Sequence, residues 1–250
     1  MENSFSIIDI LETSWEITKK NFLLIIGYSL VAFITLAIVQ FIYMGLATSQ
    51  NVILSTVGFF AFLIVNSMAN LGFYKLIFRL IDEEEEDFSV KKVIPSWKNI
   101  LSFVSITLLL GVIVATFTLI YTKLLKNGSF ADFVEIIKSN SLYFESLAVF
   151  AFILLLLATM RFMFFPCFIV DDDSTGFESL RQSRALTQDN LMKIMVVLAM
   201  VVGFIALGFL ALGIGIIVTY PFTNVILIVT YRRLVNSYIS EHPEEKKVGL

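Results

Sequence analysis

Arg161 is the one basic residue well inside a strongly apolar run, Leu147 to Val170, and charge at membrane depth is costly enough to point to a role. At about 1.5 Å per helical residue it lies roughly 20 Å from the start of that run, near enough to the far interface for its side chain to snorkel. Asn66 and Asn70, one helical turn apart on an earlier apolar run, are expected at a similar depth, where their amides can meet the guanidinium. Two roles are open for this trio: a polar clamp between helices, or a contact to a ligand or lipid phosphate. Asp171, Asp172 and Asp173 carry the hard oxygen donors that a divalent cation takes. The same residues, leaving a membrane just before a helix start, also suit a turn and a helix dipole. No second acidic cluster accompanies them inside an apolar run, so no metal is expected. His242 is the only histidine, neither GxSxG nor HExxH occurs, and P-loop and GxGxxG patterns are missing, which removes the usual parts of hydrolysis and nucleotide use. A single cysteine, Cys167, allows no internal disulfide or structural zinc set. No catalytic residue and no cofactor is expected.

The elements that must position these residues are membrane spans. A hydrocarbon core of about 30 Å asks for roughly 20 apolar residues in a helix. Runs of that kind lie at about 22–47, 52–80, 100–124, 147–170 and 191–220, with a shorter one at 221–238 that ends in Arg232 and Arg233. Hydrophobic residues make up 58% of the chain and 25 residues are Phe, more than a soluble core of this size takes up. The fold class predicted is therefore all-α: an integral membrane six-helix bundle in one polytopic domain, 1–250. Basic residues are scattered at a net charge of -3, so there is no footprint for nucleic acid.

Lys and Arg near span ends gather on the cytoplasmic side, and their distribution fixes an orientation. With the N-terminus inside, 15 of the 18 basic residues fall on inner segments, and only Lys123, Lys126 and Lys138 fall outside. An even number of spans with both termini cytoplasmic follows. The first 21 residues carry Glu2, Asp9, Glu12 and Glu16 and no apolar core, unlike a cleavable signal peptide, so the first span is expected to remain as an anchor.

The inner segments also resemble one another. Ser6 to Asp9 and Thr175 to Glu178 both read as capping boxes, each opening a short helix, at 5–20 and 175–190. At an offset of 169, Leu11, Ser14, Thr18 and Asn21 meet Leu180, Ser183, Thr187 and Asn190. A weaker third copy runs through 88–98, giving three repeats of interfacial elbow helix plus transmembrane hairpin. Ile7, Ile8, Leu11 and Trp15 recur at helical spacing and would lay the first elbow on the membrane surface. Phe130, Phe133, Val134 and Ile137 suggest an interfacial helix in the outer loop, and 239–250 is a polar tail. Ala199/Gly203 and Ala211/Gly215 have small-xxx-small spacing, which suits close helix packing, while Tyr220-Pro221 reads as a break.

At Arg161-Phe-Met-Phe-Phe-Pro166-Cys-Phe-Ile-Val-Asp171-Asp172, followed by Gly176-Phe-Glu178-Ser-Leu180-Arg181-Gln-Ser183 and Leu186-Thr187, the chain resembles a broad family of bacterial membrane proteins. That family includes the membrane domain found beside glycerophosphoryl diester phosphodiesterase catalytic domains. The stretch from Phe5-Ser6 to Asn21 is similar too, while Arg184 and Asp189 depart from the pattern. The resemblance implies a six-helix inner-membrane domain linked to envelope lipid metabolism, without the catalytic domain, in which Pro166, Asp171, Asp172, Glu178 and Ser183 have structural roles. The expected function is a non-catalytic scaffold, regulator or lipid-interacting module of the cell envelope, with membrane lipids as partners. A small-molecule or lipid permease is the alternative and a lipid-modifying enzyme a third reading; protein partners and oligomeric state stay open.

Overall fold

The computed structural model describes residues 6–49, 51–82, 90–126, 128–211, 213 and 215–241, and every described element is helical. In chain order these are α1 (Ile7–Lys20), α2 (Phe22–Ala47), α3 (Val52–Ile81), α4 (Val90–Val93), α5 (Trp97–Leu125), α6 (Gly128–Ser139), α7 (Ser141–Phe162), α8 (Phe165–Asp171), α9 (Gly176–Thr187), α10 (Leu191–Leu210) and α11 (Ile216–Glu241). Five helices are long and apolar enough to cross a membrane: α2, α3, α5, α10, and α7 taken with α8. Exposed Phe41, Val112, Phe117, Phe152 and Leu210 form an apolar surface far larger than a water-soluble monomer exposes. The architecture fits a multi-pass membrane protein.

The core gathers at one end of the bundle. Ile10 of α1, Ile25 of α2, Ile77 of α3, Met160 of α7, Phe168 of α8, Val197 of α10 and Val229 of α11 belong to one buried cluster. We call this the inner end, because α1, α8 and α9 all pack there. Away from it α5 and α7 diverge: 110–124 and nearly all of 141–159 are exposed. The two helices are joined on that side through α6, which packs on both.

Two of the expected elbows are helices of their own. Ser6 caps α1 by accepting from the Asp9 N–H at 3.4 Å, and its buried edge is Ile10, Ser14 and Thr18, one residue per turn. The Asp9 carboxylate does not complete a capping box; it pairs with Arg233 at 2.9 Å. The box at Thr175 and Glu178 is complete. Helix starts agree with the 169-residue offset: Ile7 with Gly176, and Phe22 with Leu191. Ser14, Ser183, Thr18 and Thr187 are all buried.

Elsewhere the boundaries differ from expectation. Of the expected elbow over 88–98, residues 88 and 89 lie outside the described residues; the described part holds the four residues of α4, and Trp97 already belongs to α5. Ser96 caps α5 through the Asn99 N–H at 3.2 Å, so the last residues of the expected elbow begin the long helix. The expected span 147–170 is split into α7 and α8. The break between the fifth and sixth runs lies before Ile216, not at Tyr220-Pro221, and Pro221 sits within α11. Glycines set that turn: Gly213 has φ +76, and a Cβ on Gly215 would lie 2.9 Å from the Gly208 carbonyl oxygen, so the chain reverses where only glycine fits. The run 221–238 is not among the helices apolar enough to span. Asp82 is described, while the rest of the acidic run, Glu83 to Asp87, and His242 lie outside the described residues.

Gly176 seats α9 against α5. A Cβ there would come within 2.8 Å of the Ser102 carbonyl oxygen and of the Ile106 side chain. Alanine normally favours a helix over glycine by about 1 kcal/mol. Gly176→Ala should nevertheless lower the apparent melting temperature in detergent, by an overpacking cost of about 1–3 kcal/mol. Gly203→Ala, which meets nothing within 4 Å, should leave the melting temperature unchanged or raise it.

Candidate anion site

The fourth apolar run breaks at Met163 and Phe164, just ahead of Pro166 in the first turn of α8. Proline has no N–H, and in a continuous helix its ring would strike the carbonyl four residues back, here that of Phe162. Ending α7 orphans backbone groups, and in an apolar surrounding each needs a new partner. Ser183 of α9 supplies two. Its hydroxyl donates to the Arg161 carbonyl at 3.0 Å and accepts from the Phe164 N–H at 3.2 Å. The Thr187 hydroxyl, one turn on, approaches the same carbonyl at 3.5 Å. The break is thus splinted by the Ser183 hydroxyl, while that of Thr187 lies closer to the Arg184 carbonyl, at 3.1 Å.

The Arg161 guanidinium stands in the last turn of α7, beside this splint. Its Nη1 is buried and has no hydrogen-bond partner. The side chain as a whole is half-buried, whereas Arg181 and Arg184 on α9 are exposed. A guanidinium cannot shed its charge, and a buried unpaired donor costs about 1–3 kcal/mol, more when charged. Its own carbonyl is already taken by Ser183. Asn66 and Asn70 do not supply the missing acceptor: Asn70 donates to the Asn66 carbonyl at 2.8 Å and to Asn66 Oδ1 at 3.1 Å. α3 carries its own amide pair, and the expected three-residue clamp with Arg161 is not formed.

The three aspartates after α8 separate. Asp171 accepts from the Tyr231 hydroxyl at 3.0 Å and pairs with Arg232 at 3.1 Å. Asp172 accepts from Gln182 Nε2 at 2.8 Å, and Gln182 Oε1 in turn accepts from the Ser174 hydroxyl at 2.7 Å, pinning the connection into α9. Asp173 adopts a left-handed φ of 51, a conformation Asp tolerates better than most residues. Among the described residues, no group of three or more His, Cys, Asp or Glu side chains is placed to hold a metal ion.

Arg232 reaches a second carboxylate, Asp82 at the end of α3, at 2.7 Å, and lies 4.8 Å from the centre of the Phe78 ring. With Arg233 on Asp9, the end of α11 ties α1, α3 and α8 together at the inner end. Beneath the ion pairs, Tyr231 packs edge-on against Phe168 at 5.0 Å and Phe78 at 5.7 Å. Tyr231 and Gln182 were not singled out in the sequence. Nothing local marks them, because their partners lie 60 and 10 residues away. Thr187 had a signal, four residues after Ser183 on the same helix face.

Comparison with known protein families, with characterised proteins and with solved structures finds no match to this chain.

Removing the splint should cost more than its small size suggests. Ser183→Ala strands the Phe164 N–H and leaves the Arg161 carbonyl to Thr187, so folding stability should fall by about 1–3 kcal/mol, read as a lower melting temperature. For the ion pairs, Asp171→Ala should destabilise more than Asp82→Ala, because the Asp171 side chain is 21% exposed and that of Asp82 48%. Exposed pairs contribute about 1 kcal/mol or less. Equal effects from the two variants would contradict this ranking.

Proposed function

We propose that this chain is a non-catalytic, six-span inner-membrane protein, both termini cytoplasmic, that holds an anionic ligand at Arg161 and acts as a scaffold, regulator or lipid-interacting module of the envelope. The observation that carries the reading is the half-buried Arg161 side chain at the end of α7, whose Nη1 has no hydrogen-bond partner. Its permanent charge asks for an anion, and a guanidinium matches a phosphate or carboxylate with two parallel donors.

The six-span topology has support beyond hydropathy. The ion pairs gather Asp9, Asp82, Asp171 and the end of α11 at one end of the bundle, each on or beside a segment that charge placement assigns to the cytoplasm. α11 returns alongside α10, so its last turns share a side with the start of α10. A central helix needs less apolar character than a lipid-facing one, and α11 buries Phe222, Val225, Ile226, Val229 and Leu234. The matched helix starts and buried hydroxyls of α1 and α9 support two units of elbow plus hairpin, with a third in which the described elbow is α4. The likeness to membrane domains beside glycerophosphoryl diester phosphodiesterases remains part of this proposal, and it agrees with a ligand bearing phosphate. Separate engagement of Asp171 and Asp172 speaks against a shared metal in a lipid-modifying enzyme.

A permease is the second reading, favoured by the α7–α8 break and by the amide pair Asn66–Asn70 within α3. Flux of a solute through proteoliposomes that fails in Asn70→Leu, with binding at Arg161 intact, would favour it.

The test is co-purification. Phosphate- or carboxylate-bearing molecules carried by the wild-type protein should fall at least tenfold in Arg161→Ala and partly in Arg161→Lys, as read by mass spectrometry of folded samples. An unchanged profile in both variants would make Arg161 a structural residue and overturn the assignment.

A further inference from the structure

Arg161 stands at the end of an exposed apolar track on α7. Phe150, Leu154 and Leu157 precede it at intervals of four, three and four residues, the spacing of one helix face. They are 59%, 52% and 40% exposed. The face that enters the core is a different one, carrying Leu156 and Met160. Arg161 therefore shares a face of α7 with the track and stands at its inner-end terminus.

From Phe150 to Arg161 the track rises about 16 Å at 1.5 Å per residue, long enough for an acyl chain to lie along it. Its charged end lies toward the inner end of the bundle, where the splint and α9 sit. We propose that the occupant is a single anionic phospholipid of the inner-end leaflet, its phosphate on the Arg161 guanidinium and an acyl chain along Leu157, Leu154 and Phe150. This rests on the reading that Arg161 holds an anion, and it names that anion's class.

Charge complementarity selects a lipid over a second copy of the chain. A partner helix laid on this track would have to meet the half-buried cation with an acid at the same depth. The stretches 22–47, 52–80, 100–124, 147–170 and 191–238 contain no Asp or Glu at all. A membrane phosphate meets the cation without such a residue, and its chains cover apolar surface at about 0.8 kcal/mol per buried methylene.

The experiment is native mass spectrometry of the full-length protein in detergent. It is titrated with dioleoyl phosphatidylglycerol, with dioleoyl phosphatidylcholine, and with soluble glycerol 3-phosphate as competitor. Wild-type protein should bind one phosphatidylglycerol at least tenfold more tightly than phosphatidylcholine. Glycerol 3-phosphate should not displace it at concentrations a hundredfold higher. Arg161→Lys, which keeps the charge but loses the fork, should reduce the preference. The double variant Leu154→Ser/Leu157→Ser, at two exposed positions, should weaken phosphatidylglycerol binding several-fold. If glycerol 3-phosphate competes freely and the double variant binds phosphatidylglycerol as wild type does, the lipid inference is overturned while an anion site at Arg161 stands. If neither anion responds to Arg161→Lys or Arg161→Ala, the anion reading falls as well. A wild-type dimer that the double variant converts to monomer, with lipid binding unaltered, would assign the track to a second copy and overturn the proposal.

Discussion

A helix surrounded by apolar groups can be broken only where something else takes over its backbone hydrogen bonds, and in this chain Ser183 does so for the fourth apolar run. Pro166 makes the break unavoidable. The hydroxyl of Ser183, accepting from Phe164 and donating to Arg161, makes it tolerable in a buried position. Much of the inner end follows from that arrangement. α9 must lie against the break, so it needs the close seat on α5 that Gly176 permits. The link from α8 into α9 must be short and fixed, which Asp172 and Ser174 achieve through Gln182. Arg161 is then held at the end of α7 with its carbonyl occupied and its Nη1 without a hydrogen-bond partner.

A second constraint closes the inner end from the other side. Arg232 is shared between the ends of α3 and α8, and Arg233 holds α1. Each pair is partly exposed, so individually they contribute little. Their effect is positional: they join helix ends that are far apart in the chain above an aromatic layer around Tyr231. Toward the opposite ends, 110–120 of α5 and 147–158 of α7 are largely apolar and almost entirely exposed. The protein is packed and cross-linked at the inner end and exposes apolar helix faces at the other.

The long helices were legible because apolar length is a strong signal: α2 and α3 begin and end within a residue of their sequence boundaries. The elbows α1 and α9 were legible from caps and spacing. Where reading by residue type misled, the cause was a local feature with two possible outcomes. Tyr220-Pro221 looked like a stop, but the stop was set by glycines a few residues earlier, and Pro221 was absorbed into a buried helix. Ser96, expected within an elbow over 88–98, instead caps α5. At the site, Arg161, Pro166, Asp171 and Ser183 were all visible, yet their partners were not. Asn66 and Asn70 bond to each other rather than to Arg161, and Asp171 finds Tyr231 and Arg232 across the bundle, pairings that only the tertiary arrangement determines.

The central claim is that the Arg161 guanidinium is closed by a phosphate. The most direct measurement is nitrogen–phosphorus dipolar recoupling by solid-state NMR, on protein labelled with 15N in its arginine side chains and reconstituted in bilayers containing phosphatidylglycerol. The account predicts a guanidinium signal that is dephased by 31P and disappears in Arg161→Lys. An Arg161 signal, assigned by that substitution, that shows no phosphorus coupling in the same bilayers would contradict it.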